Sequence, residues 1–145
     1  MTRLQPIKDD TDTEAALMLA LERTEGDIVI LGGTGTRLDH VLGNISILGK
    51  AFSFHRNVVL LDSHNRICLV KDAWSIAKKE QFGNYVSVFP MQGVARGVTM
   101  KGFYYPLTDV TLTGYTSLGV SNEIVDEKAS VFVREGVLIV IESRD

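Results

Sequence analysis

Three carboxylates crowd the start of the chain, Asp9, Asp10 and Asp12, with Thr11 among them. By residue type alone, acidic side chains ahead of a helix cap it and offset its dipole, for about 0.3–1 kcal/mol each. The same carboxylates could face Mg²⁺, which is usually held by one or two carboxylates plus substrate phosphates. A second group follows at Gly32-Gly33-Thr34-Gly35-Thr36-Arg37-Leu38-Asp39-His40. Its glycines let backbone approach a ligand closely, and a helix starting just beyond favours anions. It is neither a Walker A loop nor a complete Gly-x-Gly-x-x-Gly fingerprint, and a tight strand-to-helix turn explains the glycines equally well. Arg37 and Asp39 tilt the balance toward phosphate and metal handling. Their competing reading is an ion pair, with Asp39 as a helix N-cap. Further along, Gly102-Phe103-Tyr104-Tyr105-Pro106-Leu107 supplies aromatic faces, and Gly119-Val120-Ser121-Asn122-Glu123 supplies a hydroxyl and an amide. From residue type alone these two stretches read as an ordinary strand aromatic and a plain turn.

The elements that must position these groups change character along the chain. Thr11 followed by Glu14 forms a capping box ahead of an apolar run, which predicts a helix from Thr11 to near Gly26. Residues 27–31 and 57–61 read as short buried strands. Between them Leu38, Val41, Leu42, Ile45, Leu48 and Phe52 recur at helical spacing and predict one apolar helix face. Helix, strand, glycine loop, helix and strand make a fragment of a parallel α/β sheet. After Asp62 come short alternating segments at 66–71, 74–78, 85–89, 97–101, 109–113, 130–134 and 137–142, separated by turn residues. That texture favours an antiparallel sandwich or barrel. The last two segments read as its clearest hairpin. A boundary within 63–72 divides the chain into 1–65 and 66–145.

Composition narrows the function classes. With 45% apolar and 23% charged residues in 145, the chain has the make-up of a globular protein. A net charge of −3 opposes non-specific nucleic-acid binding, which needs a basic face. No apolar run approaches the roughly 20 residues of a bilayer span, and no secretory leader is legible. One cysteine, Cys68, cannot close an internal disulfide and reads as a small core residue; cytoplasmic is the expectation. Trp74 reads as core, and His55 and His64 show no zinc spacing.

Taken together, an acidic Thr-Asp helix start followed by Gly-Gly-x-x-x-Arg-x-Asp-His resembles the paired signature of thiamine pyrophosphokinases. The tyrosine and Ser-Asn stretches are similar to that family's second half. The resemblance implies Mg²⁺-dependent transfer of the terminal pyrophosphoryl group of ATP to the hydroxyethyl group of thiamine, giving thiamine diphosphate and AMP. It implies an α/β nucleotide-handling domain followed by an antiparallel β-sandwich that binds thiamine. By position, Asp12, Arg37 and Asp39 would be catalytic, with Asp9 and Asp12 at the metal. Gly32, Gly33, Thr34, Gly35, Thr36 and Arg37 would face the ATP phosphates. Tyr105 would stack on thiamine, where some members carry Trp, and Ser121 and Asn122 would bond its aminopyrimidine edge. A homodimer with a shared active site is implied as well. The chain matches the C-terminal two-thirds or so of a member, so the expected α/β part is an incomplete fragment lacking Asp-bearing strands that bind metal and nucleotide. The alternative is a non-catalytic thiamine- or nucleotide-binding module, which would keep Tyr105 and Ser121 without needing Arg37 or Asp39.

Overall fold

The computed structural model describes residues 10–145. Asp9 therefore lies outside the described residues. The chain divides into two compact units, Met1–Leu61 and Asp62–Asp145.

In the first unit, helix α1 (Asp12–Arg23) starts where the capping box predicts. Thr11 is extended, and its hydroxyl accepts the Glu14 N–H at 3.2 Å. The carboxylate of Glu14 pairs with Lys50. Leu17 and Leu21 form the buried stripe of α1. At its far end the Thr24 carbonyl, which helix geometry would leave orphaned, accepts from Arg56 Nη1 at 2.5 Å. Strands β1 (Ile28–Leu31) and β2 (Val58–Leu61) pair in parallel, with Ile28 opposite Val58 and Leu31 opposite Leu61. The crossover between them is helix α2 (Leu38–Ile47), continued by a 3₁₀ helix, Leu48–Phe54.

Two expectations are corrected here. β1 is not a buried strand: its residues alternate, and Val29 and Leu31 are 50% and 73% exposed. The predicted stripe faces the core only in part: Leu48 is buried and Val41, Ile45 and Phe52 are half-buried, but Leu38 and Leu42 are exposed. The buried line is Asn44, Ile47, Leu48 and Ala51. A polar residue occupies the inward position because its amide has a backbone partner there, which hydropathy spacing does not register.

In the second unit all seven expected segments are strands: β3 (Asn65–Val70), β4 (Ala73–Ala77), β5 (Tyr85–Pro90), β6 (Val94–Lys101), β7 (Leu107–Thr113), β8 (Lys128–Phe132) and β9 (Leu138–Ser143). Every pairing among them is antiparallel. β9 lies between β3 and β5, while β4, β8, β6 and β7 stand side by side in that order. The inward residues of both sets, among them Val88, Val98, Met100, Leu112, Val131, Leu138 and Val140, form one buried cluster. Cys68 and Trp74 pack against it partly buried, as expected of core residues. Burial pushes the Cys68 thiol up to about 11, which removes it as a nucleophile at neutral pH.

The expected hairpin of the last two segments does not form. β8 pairs with β4 and β6, and β9 with β3 and β5. The segment between them is occupied elsewhere: Val133 N–H donates to Asp72 O at 2.9 Å, and Glu135 bridges Arg96. Those bonds carry the chain from one set of strands to the other instead of turning it back on itself.

Candidate functional site

The glycine stretch opens directly from β1. Gly32 takes a left-handed φ of +71°, which turns the chain out of the strand. Gly33 follows where a Cβ would strike Leu60 Cδ1 and lie 3.2 Å from Ile30 Cγ2. Its carbonyl accepts from Asn44 Nδ2 at 2.7 Å, so a buried amide on α2 holds the loop from beneath. Gly35 has neither constraint: no atom lies within 4 Å of where its Cβ would be, and its φ is outside the left-handed range.

Arg37 occupies the N-cap position of α2 but caps nothing with its side chain. It forks onto Asp39 instead, from Nε at 3.2 Å and Nη2 at 2.5 Å. Asp39 is therefore not the N-cap; it sits in the first turn and accepts the His40 N–H at 2.9 Å. The Arg37 guanidinium, helped by His40, holds the Asp39 carboxyl below its ordinary 3.8. Both side chains remain about two-thirds exposed, at 69% and 65%. The fork thus uses two donors of Arg37 and leaves the rest in solvent, where a phosphate could reach them.

The acidic helix start and the glycine-loop helix converge. Thr11, Asp39, His40, Gly43 and Asn44 line one pocket of about 210 Å³. Asp12 is the first residue of α1, next to Thr11. Among the described residues no three carboxylate, histidine or cysteine side chains gather tightly enough to hold a metal unaided. A carboxyl whose pKa is held low stays charged at neutral pH, which fits cation or charge handling and not proton transfer.

In the second unit a pocket of about 420 Å³ is lined by Tyr105, Leu107, the four residues Ser117 through Val120, and Asn122. Tyr105 lies in the loop between β6 and β7, so it is not a strand aromatic. Its ring is 65% exposed and meets Tyr104 edge to face, with centroids 4.8 Å apart. The opposite wall is stitched to β5. Val88 N–H donates to Gly119 O at 2.9 Å, Ser121 N–H to the Ser87 hydroxyl at 2.9 Å, and Val86 exchanges both backbone bonds with Asn122. Gly119 is required there, since at φ +90° a Cβ would fall 2.6 Å from Val88 Cγ2.

Ser121 is exposed, with φ +54°, and flanks the pocket without lining it. Asn122 contributes to the wall but is only 2% exposed. Its amide oxygen accepts from the Tyr105 and Glu123 backbone and one of its N–H groups donates to the Tyr105 carbonyl. Two positioning groups escaped the sequence reading. Asn44 had a signal, a polar residue in register with Val41, Ile47 and Ala51. Ser87 had none, for a serine in a strand is unremarkable until its partner is known.

A glycine loop on a parallel strand pair, followed in the chain by an antiparallel unit with an aromatic-rimmed pocket, makes this a two-unit protein, α/β first and all-β second. Residues 2–60 match the family model described as thiamin pyrophosphokinase, catalytic domain, and residues 74–138 match thiamin pyrophosphokinase, vitamin B1 binding domain. Thiamine pyrophosphokinase of Bacillus subtilis (strain 168) is 35% identical over 141 residues, covering 97% of this chain and 66% of that protein. A crystal structure of thiamine pyrophosphokinase from Bacillus subtilis superposes with a TM-score of 0.89 at 36% identity, over 97% of this chain and 66% of the other. A thiamin pyrophosphokinase family protein from Enterococcus faecalis gives a TM-score of 0.84 at 31% identity, over 99% and 68%. The chain belongs to the thiamine pyrophosphokinase family. It spans about two-thirds of the length of these relatives.

Proposed function

We propose that this chain carries the thiamine-binding unit and part of the ATP-handling unit of a thiamine pyrophosphokinase. The observation that carries the reading is the exposed Tyr105 ring on the rim of a pocket in the stretch matching the vitamin B1 binding domain. A thiazolium is cationic, so an open aromatic face offers it stacking and cation–π attraction of about 0.5–2 kcal/mol. In this reading residues 1–65 handle ATP and residues 66–145 form a β-sandwich that binds thiamine. The match of residues 2–60 to a catalytic-domain model supports an enzyme over a non-catalytic module.

The residues divide the work by chemistry. Gly32 to Thr36 would present backbone N–H groups to the ATP phosphates. Arg37 would add donors from the edge not engaged by Asp39. Mg²⁺, held by Asp12 and Asp39 with Asp9 nearby in sequence, would neutralise phosphate charge. The hydroxyl oxygen of thiamine forms a bond to the β-phosphorus of ATP as the bond to the AMP phosphate breaks. Such transfer depends on positioning and charge stabilisation more than on covalent help from the protein. The reading extends, on family membership, to a homodimer with a shared site and a cytoplasmic location. No helix among the described residues is long and apolar enough to cross a membrane.

Calorimetric titration with thiamine tests the reading. Tyr105→Ala should weaken binding, while Tyr105→Phe should largely preserve it, since the ring face supplies the attraction. Unchanged affinity in Tyr105→Ala would remove thiamine from this pocket.

A further inference from the structure

Asn122 is 2% exposed, and its side-chain hydrogen bonds run to backbone near the pocket rim. Oδ1 accepts the N–H of Tyr105 at 2.9 Å and the N–H of Glu123 at 3.0 Å, while Nδ2 donates to the carbonyl of Tyr105 at 2.6 Å. Both backbone groups of one exposed loop residue are thereby held by a single buried amide. The amide is itself fixed, because the Asn122 backbone N–H and C=O both bond Val86 of β5, at 3.0 Å and 2.7 Å. Tyr104 N–H adds a bond to Glu123 O at 2.9 Å. The ring of Tyr105, in contrast, meets Tyr104 edge to face.

We propose that Asn122 is a positioning residue that acts on the ligand through Tyr105: it locks the backbone on which the stacking ring is mounted, and does not touch the ligand itself. The proposal rests on the thiamine reading of the pocket. A ring on a mobile loop would have to be ordered at each binding event, and pre-fixing its backbone removes that cost. Asparagine suits the task because one planar amide both accepts from N–H groups and donates to a carbonyl, which neither serine nor aspartate does at that reach.

The test combines a double-mutant cycle with amide exchange on the full chain. In the wild type without ligand, the Tyr105 and Glu123 amides should exchange slowly despite the exposure of the loop. Asn122→Ala should release both. Asn122→Ala should weaken thiamine binding about tenfold, the effect of a buried hydrogen-bond group lost. In a Tyr105→Ala background the same change should cost less than about twofold, because its route to the ligand is gone. Additive costs would show direct contact and overturn the proposal while leaving the pocket assignment standing. Fast exchange of the Tyr105 amide in the wild type would overturn it even if Asn122→Ala failed to fold. A wild-type chain that did not bind thiamine would overturn the pocket assignment and this proposal with it.

Discussion

Gly35→Ala separates a glycine kept for a ligand from one kept for the fold. At Gly32 an alanine must adopt φ +71°, at a cost of about 1–2 kcal/mol. At Gly33 the new methyl meets Leu60, itself wholly buried, and overpacking there costs about 1–3 kcal/mol. At Gly35 nothing lies within 4 Å and the backbone is not left-handed. Alanine should therefore be neutral or stabilise by about 0.4–1 kcal/mol, through a less flexible unfolded chain. If the loop cradles phosphates, that harmless methyl stands between backbone N–H groups and anion, and affinity for Mg-ATP should fall about tenfold, or 1.4 kcal/mol. Thermal unfolding of the three alanine variants would give the stability ranking, and calorimetry with Mg-ATP the affinity. A Gly35→Ala protein with wild-type stability and ATP affinity within about twofold of wild type would refute the phosphate role of the loop.

Arg37→Ala should let the Asp39 pKa rise toward 3.8, since the guanidinium is the largest cause holding it down; an NMR titration would read it. Because the folded pKa is depressed, the Arg37–Asp39 pair is fully formed at neutral pH and is lost only as pH falls through that folded pKa. A pKa unmoved by the substitution would show that the pair does not persist in solution. Cys68, with its thiol near 11, should resist iodoacetamide at pH 7 in the folded chain and react once urea unfolds it. Rapid labelling of the native protein would contradict its burial.

What was legible in the sequence was local. The Thr11–Glu14 cap needs only residues three apart, the strands of the second unit announce themselves by alternation, and β1 and β2 show as short β-branched runs. Pairing is another matter. Period-2 alternation says that a residue faces a core but not which strands share the sheet, and the short link between β8 and β9 suggested a hairpin. The structure spends that link on Asp72 and Arg96 instead. The face of α2 was misjudged for a related reason: apolar spacing ranks Leu38 and Leu42 as inward, whereas the position that must be inward is Asn44, whose amide is required by the Gly33 carbonyl. At the candidate sites, Tyr105, Ser121 and Asn122 read by type alone as a strand aromatic and a plain turn, and only the family resemblance singles them out. Of the groups that hold them, Asn44 interrupts an apolar helix register, whereas Ser87, a lone hydroxyl in a strand, has no pattern.

That asymmetry has a physical origin, visible in each unit separately. In the proposed function the group offered to a ligand is exposed: the bare backbone at Gly35, the ring of Tyr105. An exposed loop has few apolar contacts to fix it, so its order must come from directional bonds made from below. Asn44 provides one to Gly33 O at 2.7 Å, and Asn122 provides its set to Tyr105. Each amide is shielded from water, at 8% and 2% exposure, so competition from solvent is small and breaking the bond leaves a buried group unsatisfied. An exposed salt bridge such as Arg37–Asp39 could not do the same, because water and salt screen it. Rigid presentation of an exposed loop thus falls to buried neutral amides.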